Sequence, residues 1–124
     1  MTRQEESRTD LGNIRIHKNV IASISCLAAT EIEGVKGIGV NSKIDFLEIF
    51  GARRLSAIKV EFDKNGEIKV EVPLIVKYGF NIPEVAAAVQ ENVRNNLEKM
   101  TNLTVKDIHI NVQAIEREAQ GGKR

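Results

Sequence analysis

The segment SAIKVEFDKNGEIKVEVPLIVKYG, residues 56–79, alternates apolar and charged side chains on both sides of Lys64-Asn65-Gly66. Successive side chains of a strand point to opposite faces, so this pattern demands a hairpin with one face on a core. Its register follows from the same rule. A two-residue Asn65-Gly66 turn would set Phe62 opposite Lys69 and mix the two faces. A three-residue loop of Lys64, Asn65 and Gly66 instead pairs Phe62 with Ile68, Val60 with Val70, and Ile58 with Val72. All six apolar side chains then share one face. The three-residue loop is therefore predicted, with Gly66 in the left-handed conformation such loops use. Pro73 lacks a ladder donor, which predicts that the second strand is an edge or bulged at that point.

The rest of the chain supplies two helices and the remaining strands. NIRIH (13–17) alternates Ile14 and Ile16 against Arg15 and His17, as a short half-buried strand would. From Val20 the period becomes helical: Ile21, Ile24, Ala28, Ile32 and Val35 form a stripe that Leu27 and Ala29 widen. Asn19 is the expected N-cap, and Gly34 lies beyond the C-terminus. Residues 36–41 are a further possible strand. The second helix begins at NIPE, where Asn81 and Glu84 have capping-box spacing, although Pro83 disfavours a helical Ile82 and can move the cap by one. Its expected buried stripe is Ala86, Val89, Val93, Leu97 and Met100, and Asn102 is the expected left-handed stop. TVKDIHINVQAI then reads as a closing strand with Ile108, Ile110, Val112 and Ala114 inward. The order strand, helix, possible strand, hairpin, helix, strand defines an α+β fold, two helices packed on a small mixed β-sheet. Residues 12–115 form the expected domain, between a disordered polar N-terminal tail (1–11) and a polar flexible C-terminal tail (116–124).

Charge and composition narrow the function. Eighteen basic and 17 acidic residues leave a formal charge of +1, without the clustered basic face that duplex nucleic acid requires. A single cysteine allows no internal disulfide or cysteine-built zinc site. The polar N-terminus has no signal-peptide core, and no apolar run approaches the ~20 residues that span a bilayer. A soluble, intracellular domain is expected.

EIEGVKGIGV (31–40) is the most site-like stretch. A phosphate loop precedes a helix, whose free N–H groups meet the anion. Here the glycines follow a helix, whose carbonyl end repels phosphate. Gly34-Val35-Lys36-Gly37 also fits the GXXG clamp of single-stranded nucleic-acid binders, but that clamp lies between two helices. A helix stop with a turn outweighs the clamp. His17 and His109 have no ligand-spaced neighbours, and Cys26 reads as core filler. The carboxylates Glu61, Glu67, Glu71, Glu91 and Glu98 read as solvated faces. No catalytic, cofactor-binding or metal-binding residue emerges.

KIDFLEIFGARRL (43–55) stands apart. Phe46, Ile49 and Phe50 have i, i+3, i+4 spacing, Leu47 adjoins them, and Arg53 and Arg54 follow. The segment is either a flap over the core or an interaction surface whose arginines meet anionic lipid or an acidic protein.

GNIRIHKNVIASISCLAATEIEGVKGI and VEVPLIVKYGFNIPEVAAAVQENVRNNLEKMTNLTVKDIHINVQAI together resemble the alkaline shock protein family of bacterial envelope-stress proteins, over residues 11–115. Members commonly carry glycine where Asn102 stands, and asparagine keeps the conformation. The resemblance implies a small non-enzymatic protein, cytoplasmic and in some members held at the membrane by an anchor protein, linked to envelope stress or membrane-lipid homeostasis. It supplies no catalytic residue and no cofactor, and nothing transfers by motif to 43–55. The expectation is a scaffold or adaptor that self-associates, or binds a membrane-anchoring or envelope-related protein, and takes no small-molecule substrate. The alternatives are a regulatory partner of a lipid-precursor enzyme and a single-stranded nucleic-acid binder acting through Gly34–Gly37.

Overall fold

Five apolar side chains in strict alternation, Ile68, Val70, Val72, Leu74 and Val76, are all fully buried and mark the strand on which the sheet is assembled. The computed structural model describes residues 6–9, 12–39 and 57–117. Its elements are β1 (Glu6–Thr9), β2 (Gly12–Arg15), α1 (Lys18–Thr30), β3 (Val35–Ile38), β4 (Lys59–Phe62), β5 (Ile68–Lys77), α2 (Ile82–Thr101) and β6 (Val105–Glu116). The fold is α+β and its main sheet is mixed. β6 runs parallel along one side of β5, while β4 and β3 run antiparallel to it. β4 covers residues 68–71 and β3 residues 74–76, so these two share the other side of β5 end to end.

The hairpin has the expected register, with Val60 opposite Val70 and Phe62 opposite Ile68. The Asp63 N–H donates to the Glu67 carbonyl at 2.9 Å, which leaves the three-residue loop between them, and Gly66 has φ 83°. Pro73 lies within an inner strand, not an edge. Its carbonyl accepts from the Gly39 N–H at 3.0 Å, so its donor-less nitrogen faces the interval between the β3 and β4 pairings. The ladder bond it cannot make falls where neither strand pairs with β5.

Both helices pack on one face of the sheet: α1 against α2, β3 and β4, and α2 against β6. The buried line of α2 is Val85, Val89, Val93, Leu97 and Thr101. It steps by four residues and so winds around the helix, which takes Val85 in place of the expected Ala86 and leaves Met100 62% exposed. Thr101 compensates for its burial by donating to the Leu97 carbonyl at 2.6 Å and accepting from the Leu103 N–H. Asn81 caps the helix without any shift, accepting from the Glu84 N–H at 3.0 Å, and Asn102 ends it at φ 61°.

Other local expectations need correction. α1 begins at Lys18 with His17 as N-cap, in extended conformation and with no side-chain capping bond, not at Asn19. Leu27 is 66% exposed, outside the arc of Ile21, Ala22, Ile24, Ser25, Ala28 and Ala29. Buried Ser25 donates to the Ile21 carbonyl instead. β2 pairs with β1, formed by residues read as tail, in a separate two-stranded sheet, and Ile14 is exposed. In β6 the pairing steps from Leu74–Val112 to Ile75–Ala114, which gives Ala114 the facing of Ile75 and sets Ile115 beside Val76.

Gly34 is the joint between α1 and β3. It has φ 100°, its carbonyl accepts from the Lys77 N–H at 2.8 Å, and a Cβ would lie 2.8 Å from Val85 Cγ2 and 2.9 Å from Phe80 Cδ2. Gly79 has φ 99° with open space around the same position. Gly34→Ala should therefore cost about 3 kcal/mol, backbone strain plus overpacking, and Gly79→Ala about 1 kcal/mol from strain alone. Urea denaturation of the two variants measures the difference; equal losses would mean that the contact with Val85 and Phe80 relaxes freely.

Candidate functional site

The alternation that buries Val60, Val70 and Ile108 beneath the helices sends their neighbours to the opposite face of the sheet. That face carries two rows, each crossing β4, β5 and β6. The pairings Glu61–Lys69 and Lys69–Asp107 make one row; Lys59–Glu71 and Glu71–His109 make the next. Sign alternates from Glu61 through Lys69 to Asp107 and from Lys59 to Glu71, the second row ending on an imidazole, and each charge on β4 and β5 lies beside its opposite in the other row. Directly paired residues on adjacent strands have Cβ atoms ~5 Å apart. Yet none of these six groups forms an ion pair with another; described ion pairs elsewhere include Arg94–Glu98 and Lys106–Asp63.

Two shallow depressions occupy this face. One, of about 300 Å³, is lined by both rows; the other, of about 370 Å³, extends past Pro73 to Gly39, Asn111 and Gln113. The middle of the face is neutral, since Pro73 pairs with Asn111 and Ile75 with Gly37 and Ala114. The face thus carries charge at both ends, in the two rows near the hairpin turn and in the Lys77–Glu116 pairing beside β3.

The turn that fixes the rows is itself held by Asp63. Its Oδ1 accepts from the Asn65 N–H at 2.8 Å and the Glu67 N–H at 2.9 Å, and its Oδ2 lies 3.5 Å from Lys106 Nζ. Lys106 is the extra residue where the β5–β6 pairing steps from Ile68–Val105 to Lys69–Asp107. The Glu67 N–H is the main cause of a lowered Asp63 pKa; partial burial opposes it, and Asn65 and Lys106 add to it.

On the helix side, α2 is tied to its neighbours through backbone carbonyls. Gln90 donates to Ile108, Arg94 to Val105 at 2.7 Å, and Asn92 to Ala28 at the end of α1. Tyr78, beyond β5, is exposed and lies under Arg117, whose guanidinium carbon is 4.3 Å from the ring centre.

Phe46, Leu47, Ile49, Phe50, Arg53 and Arg54, the interaction surface expected from sequence, lie outside the described residues. Gly34 to Gly37 occupy a turn and strand β3, paired with β5, which is not the two-helix setting of a nucleic-acid clamp. His109 belongs to the charged face and Cys26 is half-buried on α1. Among the described residues no cluster of three or more His, Cys, Asp or Glu is placed to hold a metal ion. The residues that reasoning from sequence passed over are the two rows, read there as solvated. The hairpin register alone already pairs Lys59 with Glu71 and Glu61 with Lys69; the parallel neighbour that completes the pattern has no local signature.

Among the described residues two helices cover one face of a mixed sheet, and the other face carries the two rows, half-buried on β5 and exposed on β4 and β6, in a small α+β sandwich. The chain belongs to the alkaline shock protein 23 family, described by a cell envelope-related function, which it matches over residues 6–117. It is 34% identical over 117 residues to the uncharacterized protein YqhY of Bacillus subtilis strain 168, covering 94% of this chain and 86% of that one. It is 33% identical over 113 residues to the uncharacterized protein YloU of the same strain, covering 89% and 93%. Among solved structures it is similar to a variant of the MamM C-terminal domain, with a TM-score of 0.55 at 14% identity, covering 85% of this chain and 99% of that one. That likeness concerns the fold alone. No described helix is long and apolar enough to cross a membrane.

The depressed Asp63 pKa has a definite sign. Its contribution to stability is complete above the unfolded value of 3.8 and is lost as pH falls through the lower folded value. Asp63→Asn should lower the urea midpoint at pH 7, and the gap from wild type should narrow as the pH falls below 3.8. A midpoint unchanged at pH 7 would show that the turn does not depend on the carboxylate.

Proposed function

We propose that this protein is a non-enzymatic scaffold or adaptor in a cell envelope-related function, acting through protein–protein contacts at the cytoplasmic face of the membrane. The observation that carries the reading is the open sheet face. Its six titratable groups are spread over three strands in a regular pattern and together line one shallow depression. Its depressions are shallow and are lined by residues of both signs. Such a surface suits a macromolecular partner better than a small molecule, which takes a concave and mostly apolar pocket. Family membership supplies the envelope connection.

The segment 43–55 is the proposed contact with an envelope-related or membrane-anchoring partner. Phe46, Leu47, Ile49 and Phe50 would provide the apolar part, and Arg53 and Arg54 the charges that meet an acidic protein or anionic lipid. A regulatory subunit of a lipid-precursor enzyme would use the same kind of surface, and a stable complex with that enzyme would mark it.

Cell fractionation tests the reading. The wild-type chain should co-sediment with membranes, and Phe46→Asp/Phe50→Asp should move it to the soluble fraction at unchanged far-UV circular dichroism. Equal fractionation of a folded double variant would rule out the segment as the contact. A wild-type chain absent from membranes would overturn the membrane-face location.

A further inference from the structure

The charge pattern of the open face is complementary to itself under one symmetry operation. Consider two copies laid face to face. A two-fold axis running across the strands, midway between the rows, reverses strand direction but keeps each strand over its own counterpart. Glu61 then faces Lys59 of the second copy, Lys69 faces Glu71, and Asp107 faces His109. The symmetry repeats each contact, so the four charges on β4 and β5 each gain an opposite charge and Asp107 gains an imidazole that can donate to it. A two-fold along the strands does the reverse, placing Lys69 over Lys69 and Glu61 over Asp107. The pattern therefore selects one arrangement and penalises the other, which is how charge gives specificity to a closed isologous interface.

Two further observations agree. None of the six side chains is engaged in an ion pair with another described residue, so no pair has to break for a partner to dock. The rows also sit on three hydrogen-bonded strands that are buried on the other side, so their spacing is fixed in advance.

We propose that the open sheet face is a self-association surface, on which a second copy of this chain docks through the Glu61–Lys69–Asp107 and Lys59–Glu71–His109 rows. The inference deepens the scaffold reading by naming its self-contact. Its test uses purified protein only, so it can fail while the membrane-face reading stands, and the reverse also holds.

Sedimentation equilibrium of the full chain at low salt should show a concentration-dependent dimer that weakens as added salt screens the pairs. Lys69→Glu and Glu71→Lys each set two like charges face to face, and each should weaken dimerisation by at least about tenfold. An equimolar mixture of the two variants should recover association, because each new charge then meets its opposite. Recovery also shows that both variants are folded. A wild-type chain that stays monomeric at millimolar concentration would overturn the proposal. So would single variants that dimerise like wild type, the result expected if residues 40–56 or another partner occupy the face. A mixture no stronger than its components, with both folded by circular dichroism, would do the same.

Discussion

The structure depends on β5 having a partner on both edges and a helix layer on one face. Among the described elements, β3, β4 and β6 pair with β5 and not with one another, so the main sheet has no hydrogen-bonded continuity without it. Each of its five inward side chains is worth ~1.5–3 kcal/mol when fully buried, and their alternation leaves every second position for water or a partner. A parallel neighbour cannot be reached by a tight turn, which explains why the longer helix lies between β5 and β6. Gln90 and Arg94 then hold that helix to the returning strand through the carbonyls of Ile108 and Val105.

What was legible from sequence is what local chemistry decides. The hairpin register followed because one slip would have moved Lys69 into the core, and the Asn81 cap and Asn102 stop followed from residue types with few alternatives. Legibility failed where the neighbour is distant. Met100 and Leu27 have helical spacing with their stripes, but the packing of α2 on α1 and β6 winds the buried line away from them. Asn19 is a better capping residue than His17, yet the helix starts two residues earlier without a side-chain cap. The charged face was half visible. Its β4–β5 pairs are implied by the register, whereas Asp107 and His109 join only through a parallel pairing displaced by one residue at Lys106.

Family and fold bear on different questions. The family connects the chain with the cell envelope, and the 14% identity to the MamM domain speaks only of how two helices and a sheet are arranged. Neither says what the open face meets. Its own chemistry does more, since regular alternation on rigid strands limits the geometries a partner can take, whatever the affinity turns out to be.

The proline at position 73 has an architectural consequence. With no N–H directed at the seam between β3 and β4, it asks nothing of a strand that would bridge them, while its carbonyl is already served by Gly39. A continuous strand in place of β3 and β4 would carry one unmatched carbonyl there. The sheet is in effect built for an interruption on that side. Chain can be added or removed between the two strands at little cost to the hydrogen-bond ladder, since loop closure grows only slowly with length. The seam is therefore the place where an insertion between β3 and β4 disturbs the sheet least.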